Sequence, residues 1–291
     1  MSIGILAPHG KYFAAEHLAR ALNAKLFGLC TKELNVEHLI IIGMRGLKRY
    51  KKLKEKNFKS VAVIFSDTNF CRHYKWCNEY TIKNNIKVYA MPDLNDYCLQ
   101  KFIPVYHTIT LPDIEIVKPD DRIVICHSPG KKAEYNIKGT REIGIVINEL
   151  SKKYNIKYLM LQNLSWENCI KAKSTAHIFI DQLTKNNPFI DQERFGGEIK
   201  YKGALGKSGI EGMLLKCCTI TTMDFHETAP FFPFPPVVLT DYFNFKADLE
   251  ILINDVNYRN ELIEKQYKWV EKYCSSEFVS MNVTRHISET V

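Results

Sequence analysis

The chain has 291 residues, 46% hydrophobic and 25% charged, which excludes a disordered polymer and allows one large or two ordinary domains. No apolar run approaches the length of a membrane-spanning helix, and the formal charge of +8 points to an anionic partner: nucleotide, nucleic acid or acidic membrane surface. Nine scattered cysteines without a CxxC pair argue against zinc and for a reducing, cytoplasmic setting.

The first half alternates apolar runs with helical stretches. Ile3 to Ala7 reads as a buried first strand rather than a signal peptide, followed by a tight turn at Pro8-His9-Gly10. Tyr12 to Asn23 has a helical stripe of Phe13, His17, Leu18 and Leu22. Lys25 to Cys30 and His38 to Met44 are predicted strands, the second a continuous apolar run typical of a parallel sheet covered on both faces. Arg45 to Lys56 is densely basic, with Leu47, Tyr50 and Leu53 at helical spacing. It is either a solvated helix face or a surface for DNA phosphates or anionic lipid. A strand from Ser60 to Phe65, a helix from Phe70 to Asn84 and a strand from Lys87 to Met91 complete a βα series. Asp67 and Asp93 follow two of those strands, where open α/β sheets bind ligands, although turn-forming is the commoner role of such aspartates.

Prolines 104, 112 and 119 and the extended Val105 to Leu111 predict an interdomain connection. A second series follows: strand Arg122 to Cys126, loop His127 to Lys132, helix Lys138 to Leu150, strand Lys157 to Leu161, helix Trp166 to Lys173 and strand His177 to Ile180. Asn186 to Gly203 reads as a surface loop. Gly206 to Thr222 reads as a glycine-rich loop, a short helix and a strand, with Ser208 as N-cap and Glu211 closing a capping box. Small residues before a helix N-terminus present backbone N–H groups and a positive dipole end to an anion such as a diphosphate. Val237 to Leu239 is a last strand, Lys246 to Cys274 is helical with a break near Asn254 to Asn257, and Glu277 to Ile287 is helical again. The two similar halves predict two Rossmann-like α/β domains facing each other across a cleft.

His127-Ser-Pro-Gly, Lys138-Gly-Thr140, Ser165-Trp-Glu167, His177 to Leu183 and Gly206 to Met213, in this order and spacing, resemble the C-terminal half of GT-B glycosyltransferases. The nearest group is the retaining, glycogen-synthase-like family four, and the resemblance covers roughly residues 121 to 275. It implies an acceptor domain over residues 1–113, a nucleotide-sugar domain over 114–275, and a C-terminal helix, 276–291, packing back on the first. It further implies a UDP- or GDP-sugar as co-substrate without a further cofactor, no metal, and a hydroxyl acceptor.

By the same resemblance Lys138 contacts the donor diphosphate, Glu211 holds the ribose, and Gly206, Lys207, Ser208 and Gly209 approach the phosphates. His127, Ser128 and Asp181 line the cleft, while His9 and Gly10 close over the phosphates. Lys131 and Lys132 join Lys138 as cations for the leaving group. Asp67, Asp93 and His73 are the candidates to meet the acceptor. Gly203 stands where many members carry a glutamate that touches the transferred sugar, and Glu198 in the preceding loop is a possible substitute. The acceptor is expected to be a glycan or lipid-linked sugar, with the Arg45 to Lys56 run docking peripherally to anionic lipid. The alternatives are a hydroxymethylated base in DNA, or a non-catalytic binding protein that keeps the two-domain shell.

Overall fold

The structure, a computed structural model, describes residues 2–8, 13–53, 57–65, 68–91, 94, 97–99, 101–129, 137–195, 203–223 and 234–288. The first unit consists of β1 (Ile3–Ala7), α1 (Phe13–Ala21), β2 (Lys25–Gly28), β3 (His38–Ile42), α2 (Gly43–Lys51), β4 (Ser60–Phe65), α3 (Thr68–Arg72), α4 (Tyr74–Lys83), β5 (Lys87–Ala90) and β6 (Ile103–Pro104). Its sheet is parallel throughout, in the order β2-β1-β3-β4-β5-β6. β1 and β3 are buried at every position, as continuous apolar runs predict for strands covered on both faces.

The second unit consists of β7 (Ile123–His127), α5 (Thr140–Leu150), β8 (Ile156–Met160), α6 (Trp166–Ser174), β9 (Ile178–Ile180), α7 (Lys207–Leu214), β10 (Cys218–Thr221), β11 (Val238–Leu239), α8 (Phe245–Asn254) and α9 (Val256–Tyr273). Its parallel sheet has the order β11-β10-β9-β7-β8. Asp255 separates the last two helices and caps α9, its carboxylate accepting the Tyr258 N–H at 2.8 Å. The chain ends on α10 (Ser276–Ser288), which packs against α1 of the first unit and buries Val279 and Val283 there.

Four local expectations are corrected. β3 stops at Ile42, because Gly43 takes a left-handed φ of 63° and turns the chain into α2. The helix expected from Phe70 to Asn84 is two helices, separated at His73. Ile103–Pro104 is an edge strand of the first sheet rather than pure connection; an edge tolerates a proline that a central strand does not. Residues expected to be loop, Gln192–Phe195, form a 3-10 turn that packs on α3.

The two units share packed surface. One apolar cluster runs from Leu6, Leu39 and Phe65 of the first unit to Leu205, Ile210 and Met213 around α7. Tyr106, on the connection between the units, meets Trp269 of α9 edge-on at 4.9 Å. Among the described residues no helix is long and apolar enough to cross a membrane.

Candidate functional site

In an open parallel sheet, ligands bind outside the carboxyl ends of the strands, at the point where the strand order reverses. In the second sheet that point lies between β7 and β9, since β8 is added on one side of β7 and β9 on the other. The loops leaving these two strands carry Ser128 and Asp181, and the helices that follow, α5 and α7, begin nearby. Three features are assembled there: a lysine–aspartate pair, a glycine-led helix start and a buried cluster around Glu211.

Asp181 is fully buried. Its Oδ1 accepts from the Lys138 ammonium at 3.0 Å and its Oδ2 from the Gly206 N–H at 2.7 Å. One carboxylate thereby fixes both the lysine and the turn that opens α7. The glycines follow from it: a Cβ at Gly206 or Gly209 would stand 3.2 or 3.0 Å from Asp181 Oδ2. Gly139 has φ +69° and lies so close to Leu183 that a Cβ would come within 2.3 Å of its carbonyl oxygen. Lys138 is thus set at the α5 entry by a backbone that only glycine supports.

The start of α7 differs from the expected capping box. Its N-cap is Gly206, without a side-chain cap bond, so Ser208 lies inside the first turn and Glu211 in the second. Asp181, distant in sequence, takes the capping role. Gly206, Lys207 and Ser208 are half-buried at the mouth of the site, whereas Gly209 is buried.

Glu211 is only 3% exposed. Its Oε2 accepts from Lys173 at 2.6 Å and its Oε1 from the Trp166 indole N–H at 2.9 Å, with Lys207 at 3.5 Å. Burial pushes this carboxyl up, but Lys173, Lys207 and the Trp166 N–H together hold it below the usual carboxylate range. Lys173 is 1% exposed, also donates to the Ser208 carbonyl at 3.2 Å, and lies 4.6 Å from the centre of the Phe179 ring. Lys207 stands 5.5 Å from the centre of Trp166, and burial lowers its pKa. Sequence reasoning placed Lys173 only at the end of a helix. The available signal was its spacing: Trp166, Ile170 and Lys173 fall on one face of α6, and a lysine in such a stripe calls for a buried carboxylate.

His127, which opens the loop expected to line the cleft, is itself fully buried. Its Nδ1 is 2.8 Å from the Ile180 carbonyl and its Nε2 2.9 Å from Thr140 Oγ1. Burial lowers its pKa to about 4, so the ring is neutral at pH 7 and serves to join β7, β9 and the start of α5. Ser128, next along, is half-buried at the strand end.

Gly203 has φ +117°, and a Cβ there would lie 1.9 Å from the Thr222 carbonyl oxygen. The position where a sugar-contacting glutamate was expected is therefore a backbone contact that admits no side chain. Around it, Ala204 accepts from Thr221 Oγ1 at 2.9 Å and from the Gln182 amide, tying the loop to β9 and β10.

Across from α7, the first unit contributes α1. Burial and the nearby Lys207 ammonium, in that order, lower the pKa of His17 on that helix. His73 is exposed at the N-cap of α4, and no contact in the structure joins it to Lys138, Asp181 or Glu211. His9, Gly10, Asp67, Asp93, Lys131, Lys132 and Glu198 lie outside the described residues. Among the described residues no group of three His, Cys, Asp or Glu side chains is placed to hold a metal ion.

No protein-family model matches the chain, and no curated protein matches it in sequence. Solved structures do match along its whole length. Sucrose-phosphate synthase from Thermosynechococcus elongatus superposes with a TM-score of 0.65 at 10% identity, covering 99% of this chain and 98% of that one. Anabaena HepE, solved with UDP and glucose, gives a TM-score of 0.61 at 8% identity over 99% and 100% of the two chains. An alpha-glucosyltransferase solved with UDP-glucose and DNA containing an abasic site gives 0.53 at 13% identity over 99% of each. Two parallel sheets of six and five strands, matched over their full length by these enzymes, give this chain the GT-B glycosyltransferase fold.

Proposed function

We propose that the chain is a glycosyltransferase that moves a hexosyl unit from a UDP-sugar to a hydroxyl acceptor with retention of anomeric configuration. The observation that carries this reading is the α7 entry: a glycine-led helix N-terminus at the strand switch point, flanked by Lys138 and Lys207. The matched structures solved with UDP or UDP-glucose support the choice of donor.

On this reading the donor diphosphate lies against Lys207, Ser208 and the first turn of α7, with Lys138 on its other side. The bond between the sugar C1 and the phosphate oxygen breaks, and negative charge grows on the diphosphate. Fixed cations and oriented N–H groups stabilise such charge without reorganising. The acceptor oxygen bonds to C1 on the same face, and its proton passes to a phosphate oxygen of the departing group, so no side chain has to act as a strong base. Glu211 orients the ribose end. A carboxylate has about four acceptor positions, and its contacts with Lys173, Trp166 and Lys207 leave capacity for one sugar hydroxyl. His9 and Gly10 over the phosphates, Lys132 beside them, and Asp67, Asp93 and His73 toward the acceptor remain part of the proposal.

The test is release of nucleoside diphosphate from a panel of UDP- and GDP-sugars, with and without hydroxylated acceptors. UDP release from one UDP-sugar, reduced at least tenfold by Lys138→Gln, is the expected result. Donor binding without turnover under every acceptor would instead favour the binding-protein reading.

A further inference from the structure

We propose that the solvent face shared by α2 and α4 docks the phosphodiester backbone of a nucleic acid. α2 buries Met44, Leu47 and Tyr50 and turns Arg45, Lys48, Lys51 and the following Lys52 to solvent. α2 contains no acidic residue, and α4 contains only Glu79. Four exposed lysines elsewhere are paired with carboxylates, Lys59 with Glu37, Lys153 with Glu250, Lys246 with Glu149 and Lys265 with Glu261, whereas others such as Lys83 and Lys171 stand singly among the described residues. Among the described residues no carboxylate lies within ion-pair distance of Arg45, Lys48, Lys51 or Lys52. This concentration of unneutralised charge is the first observation.

The second is what holds it. The Lys48 and Lys51 ammonium groups sit 5.8 and 5.9 Å from the centre of the Trp76 ring, and Lys51 also 5.9 Å from Tyr80. Trp76 and Tyr80 are stacked on each other, 5.5 Å apart and 18° from parallel. Aromatic faces fix the direction of a lysine stem and attract its charge without cancelling it. The rings on α4 therefore preorganise the cations on α2, and part of the ordering entropy of binding is already spent. From Arg45 to Lys52 the helix rises about 10 Å, a span of several phosphates on a duplex.

A lipid surface fits less well. Interfacial helices carry an apolar face beside the basic one, whereas the apolar side of α2 is in the core, and Ile82 is the one large exposed apolar side chain on these two helices. Arg45 lies in the first turn of α2, at the carboxyl edge of β3, so the charged stripe starts at the edge of the first sheet where open α/β sheets bind ligands. The inference deepens the proposed transferase by making its acceptor a nucleic acid, but binding can be measured without turnover.

The experiment is fluorescence anisotropy of the whole protein with a short labelled DNA duplex over a salt series, comparing wild type with K48E/K51E and with the milder K48Q/K51Q. Each phosphate contact contributes about 0.9 to the slope of log K against log salt, so wild type should give a slope of about −3 to −4. The variants should lose at least tenfold in affinity and about two in slope, with unchanged thermal unfolding and unchanged UDP release in the absence of nucleic acid. Trp76→Leu should weaken binding about threefold with the slope retained. Equal binding by wild type and variants overturns the proposal. So does binding to phosphatidylserine vesicles, but not to DNA, that the same substitutions abolish. If UDP release is absent while the lysine variants still lose DNA, the docking surface stands and the transferase reading falls.

Discussion

The two sheets share a parallel βα plan but use their interiors differently. Among the described residues, fifteen buried polar or charged side chains lie from His127 onward and only five before it. The second unit is therefore built around a polar network, and the first around an apolar sandwich. Fully satisfied buried networks fix a single geometry, which suits a site that must meet a diphosphate in one orientation. The Thr108 hydroxyl, just beyond β6, is buried with no hydrogen-bond partner among the described residues, beside an apolar cavity lined by Ile42, Ile64, Met91 and Val279, and the Tyr158 hydroxyl of β8 is buried in the same way.

The contrast is breakable at its strongest point. Lys173→Met keeps the stem but leaves the buried Glu211 carboxylate with only the Trp166 N–H and the more distant Lys207 ammonium, and should cost about 3 kcal/mol in denaturant unfolding. Adding Glu211→Leu should recover part of that loss; no recovery would mean the pair is not coupled. Gly203→Ala, forced into a positive φ against Thr222, should cost about 3 kcal/mol. A change within about 0.5 kcal/mol would return Gly203 to the status of an ordinary loop residue.

Acid should act on the second half through its histidines. His127 and His177 have folded pKa values lowered to about 4, chiefly by burial, from an ordinary 6.5. Between those values the unfolded chain binds the proton and the folded one does not. Stability is therefore full above about pH 6.5 and falls as the pH drops toward 4, by up to about 3 kcal/mol for His127. His127→Gln should flatten that part of the pH–stability curve, and an unchanged curve would refute the assignment. The smallest expected effect is on affinity: Lys138→Gln should weaken UDP binding in calorimetry by about 1–2 kcal/mol. No change would place Lys138 in a purely structural pair with Asp181.

The strands were legible wherever both faces are covered, since β1, β3, β7 and β9 are near-continuous apolar runs. What escaped reading depends on partners far away in the chain. Ser208 satisfied the local rule for an N-cap, yet Asp181, 25 residues before Gly206, supplies the carboxylate at the helix start. Lys173 and Glu211 are 38 residues apart, and although helical spacing sets Lys173 on the buried face of α6 and Lys171 off it, nothing local names the partner. The two-residue strand at Ile103–Pro104 is too short to leave a periodic trace. Gly203 looked like a missing side chain because a sequence records identity and not φ.

The return of α10 to the first unit has a consequence for the order of synthesis. Val279 and Val283 complete an apolar cluster with Ile5, Leu18 and Tyr89, and the Tyr89 hydroxyl donates to the Val283 carbonyl at 3.5 Å. During translation those earlier residues leave the ribosome long before their cover exists, and domains formed early still wait on contacts made late. A nascent chain halted before Ser276 should expose that cluster to protease and to chaperone, although it carries both sheets in full. The half that is made first is thus the half that is finished last.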